Sequence, residues 1–195
     1  MQQDFTLTIY SENRVGLLGQ ITTVFTRRHL NIESLTTSES AVQGVHKFTV
    51  VVRSQRGEIE RLVKQIEKRI DVIKAYAFSE DEVIYQEIAL YQVPTEALFS
   101  GHEIETLVRR YGARILEMTP EYTVIEKTGH KNETQELFTK LSPYGVQQFT
   151  RSGRIALNRH AHEPLGEFLK KLEEARNAAA RTQPEQPMQT IIHHL

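Results

Sequence analysis

An α+β fold built from one βαββαβ unit used twice is what the 195-residue chain predicts. Three observations predict it. Short stretches alternate apolar and polar residues as half-buried strands do. Longer stretches repeat apolar residues every three or four positions as amphipathic helices do. The same order of stretches then returns after about 75 residues.

Phe5 to Tyr10 (FTLTIY) alternates apolar residues with threonine and reads as the first strand. Leu17, Leu18, Ile21, Val24 and Phe25 then form one apolar helical stripe, with Gln20, Thr23, Arg27 and Arg28 elsewhere. Ile32 to Thr37 and Val45 to Val52 are strands joined by a turn at Gly44. Ile59, Leu62, Val63, Ile66 and Ile70 mark a second helix, and Val72 to Phe78 closes the unit. The second round begins with a strand over Val83 to Val93. A helix over His102 to Tyr111 follows, with Gly112 as its stop. Strands at Arg114 to Glu117 and Tyr122 to Lys127 flank Pro120, a helix covers Glu133 to Leu141, and Val146 to Thr150 is the last strand. Two small split-βαβ sandwiches in series result, one over 1–79 and one over 80–158, with Ser79-Glu80-Asp81-Glu82 as the boundary. Residues 159–195 are expected to hold a short helix on Leu165, Phe168, Leu169 and Leu172, then a polar, Pro-containing tail that is disordered beyond Ala180.

A sandwich of this kind stacks both helices on one face of a four-stranded sheet. The other face needs cover or stays partly polar, and a single unit buries little surface. Joining two chains edge to edge hides an open strand and enlarges the core, so a homodimer is expected.

Composition narrows the function. Twenty-four basic residues nearly balance 25 acidic ones, so there is no global field to draw nucleic acid or an anionic membrane. Cysteine is absent, which removes disulfides, thiolate metal sites and a cysteine nucleophile, and fits a reducing compartment. The N-terminus shows no signal-peptide pattern and no segment reaches transmembrane length. A soluble cytoplasmic protein is expected. There is no nucleophile elbow, phosphate-binding loop, dinucleotide fingerprint or zinc-protease helix motif. His160 with His162, and His193 with His194, lack the spacing that puts two rings on one helical face, so no metal site is expected. Gly16-Leu-Leu-Gly19 superficially matches the GXXG loop of KH-type RNA-binding domains, but its inner leucines belong to the core stripe.

The strongest site candidate is SENRVGLLGQITTVFTRRHLNIESL, residues 11–35. Helix first-turn N–H groups near Gly16, Leu17 and Leu18 lack intrahelical partners, and a glycine there lets a ligand reach the backbone. A carboxylate at that point gains the amides and the helix dipole. The dipole contributes only about 0.3–1 kcal/mol at an exposed site. A dissociation constant near ~100 µM requires roughly 5.5 kcal/mol. Burial of a branched aliphatic side chain adds about 1.5–3 kcal/mol, and the Asn13 and Asn31 amides supply donors and acceptors. A free amino acid matches those terms. A turn at Asn13, a backbone angle at Gly16 and a helix stop at Asn31 also satisfy these residues, and the residues alone favour that reading over a ligand site.

The arrangement resembles an ACT domain, the ferredoxin-like βαββαβ module that commonly binds amino acids. More narrowly, Asn13, Gly16, Leu17, Leu18, Ile21, Phe25, Arg28 and Asn31-Ile32-Glu33-Ser34-Leu35 resemble the small (regulatory) subunit of acetolactate synthase, also called acetohydroxyacid synthase. QEIALYQV at 86–93 and RSGRIAL at 151–157 extend the resemblance to about residue 158. It implies an N-terminal ACT domain followed by a C-terminal regulatory-subunit domain, in a non-catalytic protein. Such a protein binds and activates a separate catalytic (large) subunit of branched-chain amino acid biosynthesis. It also confers feedback inhibition by valine or a related amino acid held between the ACT domains of a dimer. By motif match, Asn13, Gly16, Leu17 and Leu18 line one side of that effector site, and Asn31 and Ile32 approach from the strand side. No cofactor is implied in this chain; thiamine diphosphate, FAD and Mg belong to the catalytic partner. PTEALFSGHEIETL at 94–107 departs from the family's usual basic helix start, which bears on contacts with that partner. The alternative class is a stand-alone ACT-type amino-acid sensor acting on transcription or another enzyme, for which no helix-turn-helix reader is visible.

The ends of the first helix lie roughly 20 Å apart at 1.5 Å per residue. Asn13 and Asn31 can therefore serve one ligand only from two different chains.

Overall fold

The computed structural model describes residues 2–159 and 164–181. The first sheet contains β1 (Gln3–Glu12), β2 (Ile32–Glu39), β3 (Val45–Ser54) and β4 (Val72–Ser79), all antiparallel, in the order β2-β3-β1-β4. Helices α1 (Leu17–Thr26) and α2 (Arg56–Ile66) share one core with it. The alternation along β1 explains the layering. Phe5, Leu7 and Ile9 belong to that core with Leu17, Ile21, Val24 and Phe25 of α1 and Ile59, Leu62 and Ile66 of α2.

Two residues of the expected stripes fall outside it. Leu18 is 42% exposed, because it stands one residue (about 100° of helix) away from the buried Leu17. Ile70 is 98% exposed, because α2 ends at Ile66 and the chain turns through Arg69 before entering β4.

The second sheet contains β5 (Val83–Pro94), β6 (Arg114–Met118), β7 (Tyr122–Gly129) and β8 (Gln148–Arg151), in the order β6-β7-β5-β8. Its core joins Ala89, Tyr91 and Val93 of β5 and Ile125 of β7 to helices α4 (Glu103–Arg110) and α5 (Lys131–Leu141), through Ile104, Leu137 and Leu141. Two elements go beyond the expected unit. A five-residue helix α3 (Thr95–Phe99) follows β5, and a ninth strand, β9 (Ile155–Asn158), pairs with Val83–Gln86 at the start of β5. β5 thus pairs with β9 in its first third and with β7 and β8 beyond it.

Phe78, Val83 and Tyr85 form a third cluster, with Tyr76 and Ala156 packed against it. On the side of the first sheet away from its helices, Thr6, Thr8, Tyr10 and Thr49 are buried. Cover for that face comes at least in part from the chain itself, through β5, β9 and the Ser152–Arg154 segment. Among the described residues β2 and β4 end the first sheet, and β2 carries neither proline nor lysine to discourage a further strand.

Between the two sheets, Glu82 accepts hydrogen bonds from the Ser79 backbone N–H (2.8 Å) and hydroxyl (2.7 Å), and these hold its carboxyl below the usual range. By itself, the C-terminal stretch forms α6 (Pro164–Arg181), which extends past the expected short helix over Leu165–Leu172. Disorder is expected beyond Ala180; Arg181 still belongs to α6, and residues 182–195, with His160 and His162, lie outside the described residues.

Candidate functional site

β1 ends at Glu12 and the chain turns through Asn13–Gly16 into α1. Arg14 fixes the turn, reaching Glu12 at 2.9 Å and Asp71 at 3.2 Å, while the Glu12 N–H donates to the Asp71 carbonyl. Gly16 is the N-cap of α1 at φ 85°, in the left-handed region, and no side chain caps the helix. Only glycine enters that region without a steric cost, which is why the turn needs it. The Leu17 N–H donates to the Arg14 carbonyl at 3.4 Å, and with no side-chain cap in place the Leu18 and Gly19 amides are left for solvent or a ligand.

Val15 is fully exposed and Asn13 and Leu18 are exposed, so the turn presents one carboxamide and two apolar side chains to solvent. Leu17 differs from its neighbour. Its side chain is 2% exposed inside the core and its N–H is taken by the Arg14 carbonyl, so the structure offers a ligand neither of them.

Asn31 and Ile32 stand at the far end of α1. Asn31 is exposed and donates from Nδ2 to Glu33 Oε1 at 2.8 Å, and Ile32 packs partly against the first core. Sheet register measures the separation. Ile32 pairs with Val52, which pairs with Phe5, whereas the turn follows Glu12, seven residues further along β1. At about 3.4 Å per residue that is roughly 24 Å. Within one chain the six residues therefore make two half-sites, Asn13–Leu18 and Asn31–Ile32, and no single amino acid spans them. The second half-site opens the edge strand β2, where another chain can approach.

The cavities between the sheets lie elsewhere. One of 410 Å³ sits among Thr36, Lys47, Thr49, Tyr85 and Ile155, and one of 420 Å³ among Asp4, Glu33, Arg53, Glu87 and Arg151. Neither is lined by any of the six residues. Sequence reasoning missed the structure around them: Arg154, 5% exposed, lies against β1, β2 and Tyr85. The available signal was the glycine before it, at a place where another backbone approaches closely. Among the described residues, no group of three or more histidine or acidic side chains is placed to hold a metal, and no helix is long and apolar enough to cross a membrane.

Known proteins carry the same arrangement. Residues 7–74 match a family described as an AHAS small subunit-like ACT domain, and residues 86–160 match the small subunit of acetolactate synthase. The chain is 34% identical over 160 residues to the acetolactate synthase small subunit of Bacillus subtilis (strain 168), covering 82% of this chain and 91% of that one. With the acetolactate synthase small subunit of Mycolicibacterium smegmatis it shares 31% identity over 154 residues, 79% of this chain and 90% of that one. The crystal structure of the small subunit from Thermotoga maritima superposes with a TM-score of 0.74 at 25% identity, covering 82% of this chain and 99% of that one. Two βαββαβ units in series, the αL turn into α1 and these matches along both units lead to one assignment: the chain belongs to the family of acetolactate synthase small subunits.

Proposed function

We propose that this chain binds the catalytic subunit of acetolactate synthase, raises its activity, and makes it subject to feedback inhibition by a branched-chain amino acid, with valine the first candidate. Residues 1–79 are the effector-binding domain, 80–158 the second regulatory domain, and 159–195 an appendage. Thiamine diphosphate, FAD and Mg belong to the catalytic partner, which performs the condensation of two pyruvates.

The observation that carries the effector reading is the pair of half-sites. The αL turn at Gly16 leaves the Leu18 and Gly19 amides without a side-chain cap, and Asn31–Ile32 open the edge strand β2 about 24 Å away. Antiparallel joining of two β2 strands about a two-fold axis enlarges one sheet to eight strands and presents residues of one chain to the other. The amino-acid carboxylate then meets the Gly16 and Leu18 amides, Asn13 orients the ammonium, and Leu18 and Ile32 cover the aliphatic group. Binding favours one arrangement of the pair, and the catalytic partner responds by linkage.

The test is reconstitution. Acetolactate formation from pyruvate is measured with the catalytic chain alone, with this chain alone, and with both, each with and without valine, leucine or isoleucine. The expected result is negligible turnover by this chain, stimulation of the catalytic chain, and inhibition of the complex by one of the three. Appreciable turnover by this chain alone contradicts the proposal. Amino-acid binding with no effect on acetolactate formation points instead to a stand-alone sensor.

A further inference from the structure

The segment Ser152–Arg154, which links β8 to β9, ties the edge strand β2 to the second sheet. The backbone N–H of Arg154 donates to Ser34 Oγ at 2.9 Å, and its carbonyl accepts from Thr36 Oγ1. The two hydroxyls come from alternate residues of β2, so both project from the same face of the strand. Gly153 lies between them against the β2 backbone: a Cβ there would stand 2.9 Å from the Leu35 carbonyl oxygen and 3.0 Å from Ser34 Oγ. The first of those distances is shorter than real Cβ contacts, and the obstacle is main chain that cannot swing aside.

The Arg154 side chain continues the tie. Nη1 donates to Thr6 Oγ1 on β1 at 2.9 Å, the guanidinium carbon lies 3.5 Å from the Tyr85 ring centroid, and Nη2 is 3.8 Å from Glu80. Nε has no hydrogen-bond partner among the described residues, and the ring face of Tyr85 is what covers the cation. On the other side, the segment is fixed to β5. Ser152 N–H donates to the Ile88 carbonyl (2.8 Å), Ile88 N–H donates to Ser152 Oγ (2.9 Å), and Arg151 meets the buried Glu87 at 3.3 Å.

We infer that Ser34, Thr36, Gly153 and Arg154 form a latch through which a change at the start of β2 is transmitted to β5 and the second sheet. Ser34 is two residues from Ile32, so an effector or a partner strand seated on Ile32 acts on the latch directly. The latch deepens the proposed regulatory role and rests on it for the identity of the effector. The mechanical link itself rests only on the contacts above. These are positioning residues, apart from the effector half-sites.

Two variants test it: Ser34→Ala with Thr36→Val, which removes both hydroxyl bonds and keeps the strand's shape, and Gly153→Ala, which pushes the segment off β2. In the reconstituted enzyme with valine, leucine or isoleucine, each variant is expected to bind the effector within about threefold of the wild-type affinity. Each is also expected to lose inhibition by about fivefold or more. Inhibition unchanged at unchanged affinity overturns the latch. A second arm needs no effector. Native-state amide exchange of Val50 in the first sheet and Tyr91 in the second, followed with rising denaturant, is expected to merge into one opening in the wild type. In the variants the two rates should separate by about tenfold. Identical exchange in wild type and both variants overturns the proposal. If the wild-type enzyme responds to none of the three amino acids, the regulatory reading fails and the exchange arm alone decides the latch. If the double variant does not fold, Gly153→Ala carries the same two measurements.

Discussion

Gly16 and Gly19 sit three residues apart, yet the structure predicts opposite consequences for the same substitution. Gly16 holds φ 85°, and Gly19 lies inside α1 with ordinary helical backbone; neither has a heavy atom within 4 Å of the place a Cβ would occupy. Crowding is therefore excluded at both, and conformation alone decides. A left-handed L-residue costs about 1–2 kcal/mol. Part of that is offset, because alanine restricts the unfolded chain by about 0.4–1 kcal/mol, leaving Gly16→Ala destabilised by about 1 kcal/mol. Gly19→Ala gains helix propensity instead, about 0.5–1 kcal/mol. For a chain of this size each kcal/mol shifts Tm by about 2–4 °C. Thermal unfolding should then place Gly19→Ala above wild type and Gly16→Ala below it, the two variants differing by about 4–8 °C. If an amino acid seats on the turn, saturating effector near a hundred times its Kd adds about 2.7 kcal/mol to the wild type, and most of that increment should vanish in Gly16→Ala. Equal melting temperatures for the two variants would refute a left-handed N-cap at Gly16 and with it the uncapped amide site.

Tyr85 and Tyr91 are expected to titrate late. Burial pushes both phenols up to about 12, and at Tyr85 the hydrogen bond donated to Glu80 adds to it. The folded pKa lies above the ordinary value of 10.0, so the unfolded chain releases these protons first. Their contribution is complete below pH 10 and is lost as pH rises toward about 12. Phenolate difference absorbance of the native protein checks this, and normal titration of both rings near 10.0 contradicts it. Truncating Ile21, 1% exposed in the first core, to alanine should cost about 2–5 kcal/mol by chemical denaturation, and a loss under 1 kcal/mol would mean that α1 is not packed as described.

Much of this fold was legible because its periodicities are clean. Phe5, Leu7 and Ile9 step by two, while Ile59, Leu62 and Ile66 step by three and four, and each set lands in one core. The departures have physical causes. Ile155–Asn158 is too short to show alternation, and β5 reads as one strand although it serves two ladders. Arg154 reads as a surface cation, since arginine is rarely buried, and only the tertiary fold supplies Thr6, Tyr85 and Glu80 around it. The cover on the outer face of the first sheet was equally out of reach, because it depends on a segment about 120 residues from β2 in sequence. At the candidate site, the helix length already implied that Asn13 and Asn31 part company, and the register through Val52 and Phe5 gives the distance. That Leu17 is core while Leu18 is exposed could not be read from a stripe containing both.

The proposed effector site is assembled from two chains. Asn13→Ala and Asn31→Ala proteins, prepared separately, should each bind little valine or other effector. Unfolded together and refolded, half of the dimers pair one chain of each kind, and each such dimer has one intact site and one doubly defective site. Calorimetry of the mixture should recover about one quarter of the wild-type number of sites, at wild-type affinity. No recovery of binding on mixing would contradict a site built across the seam.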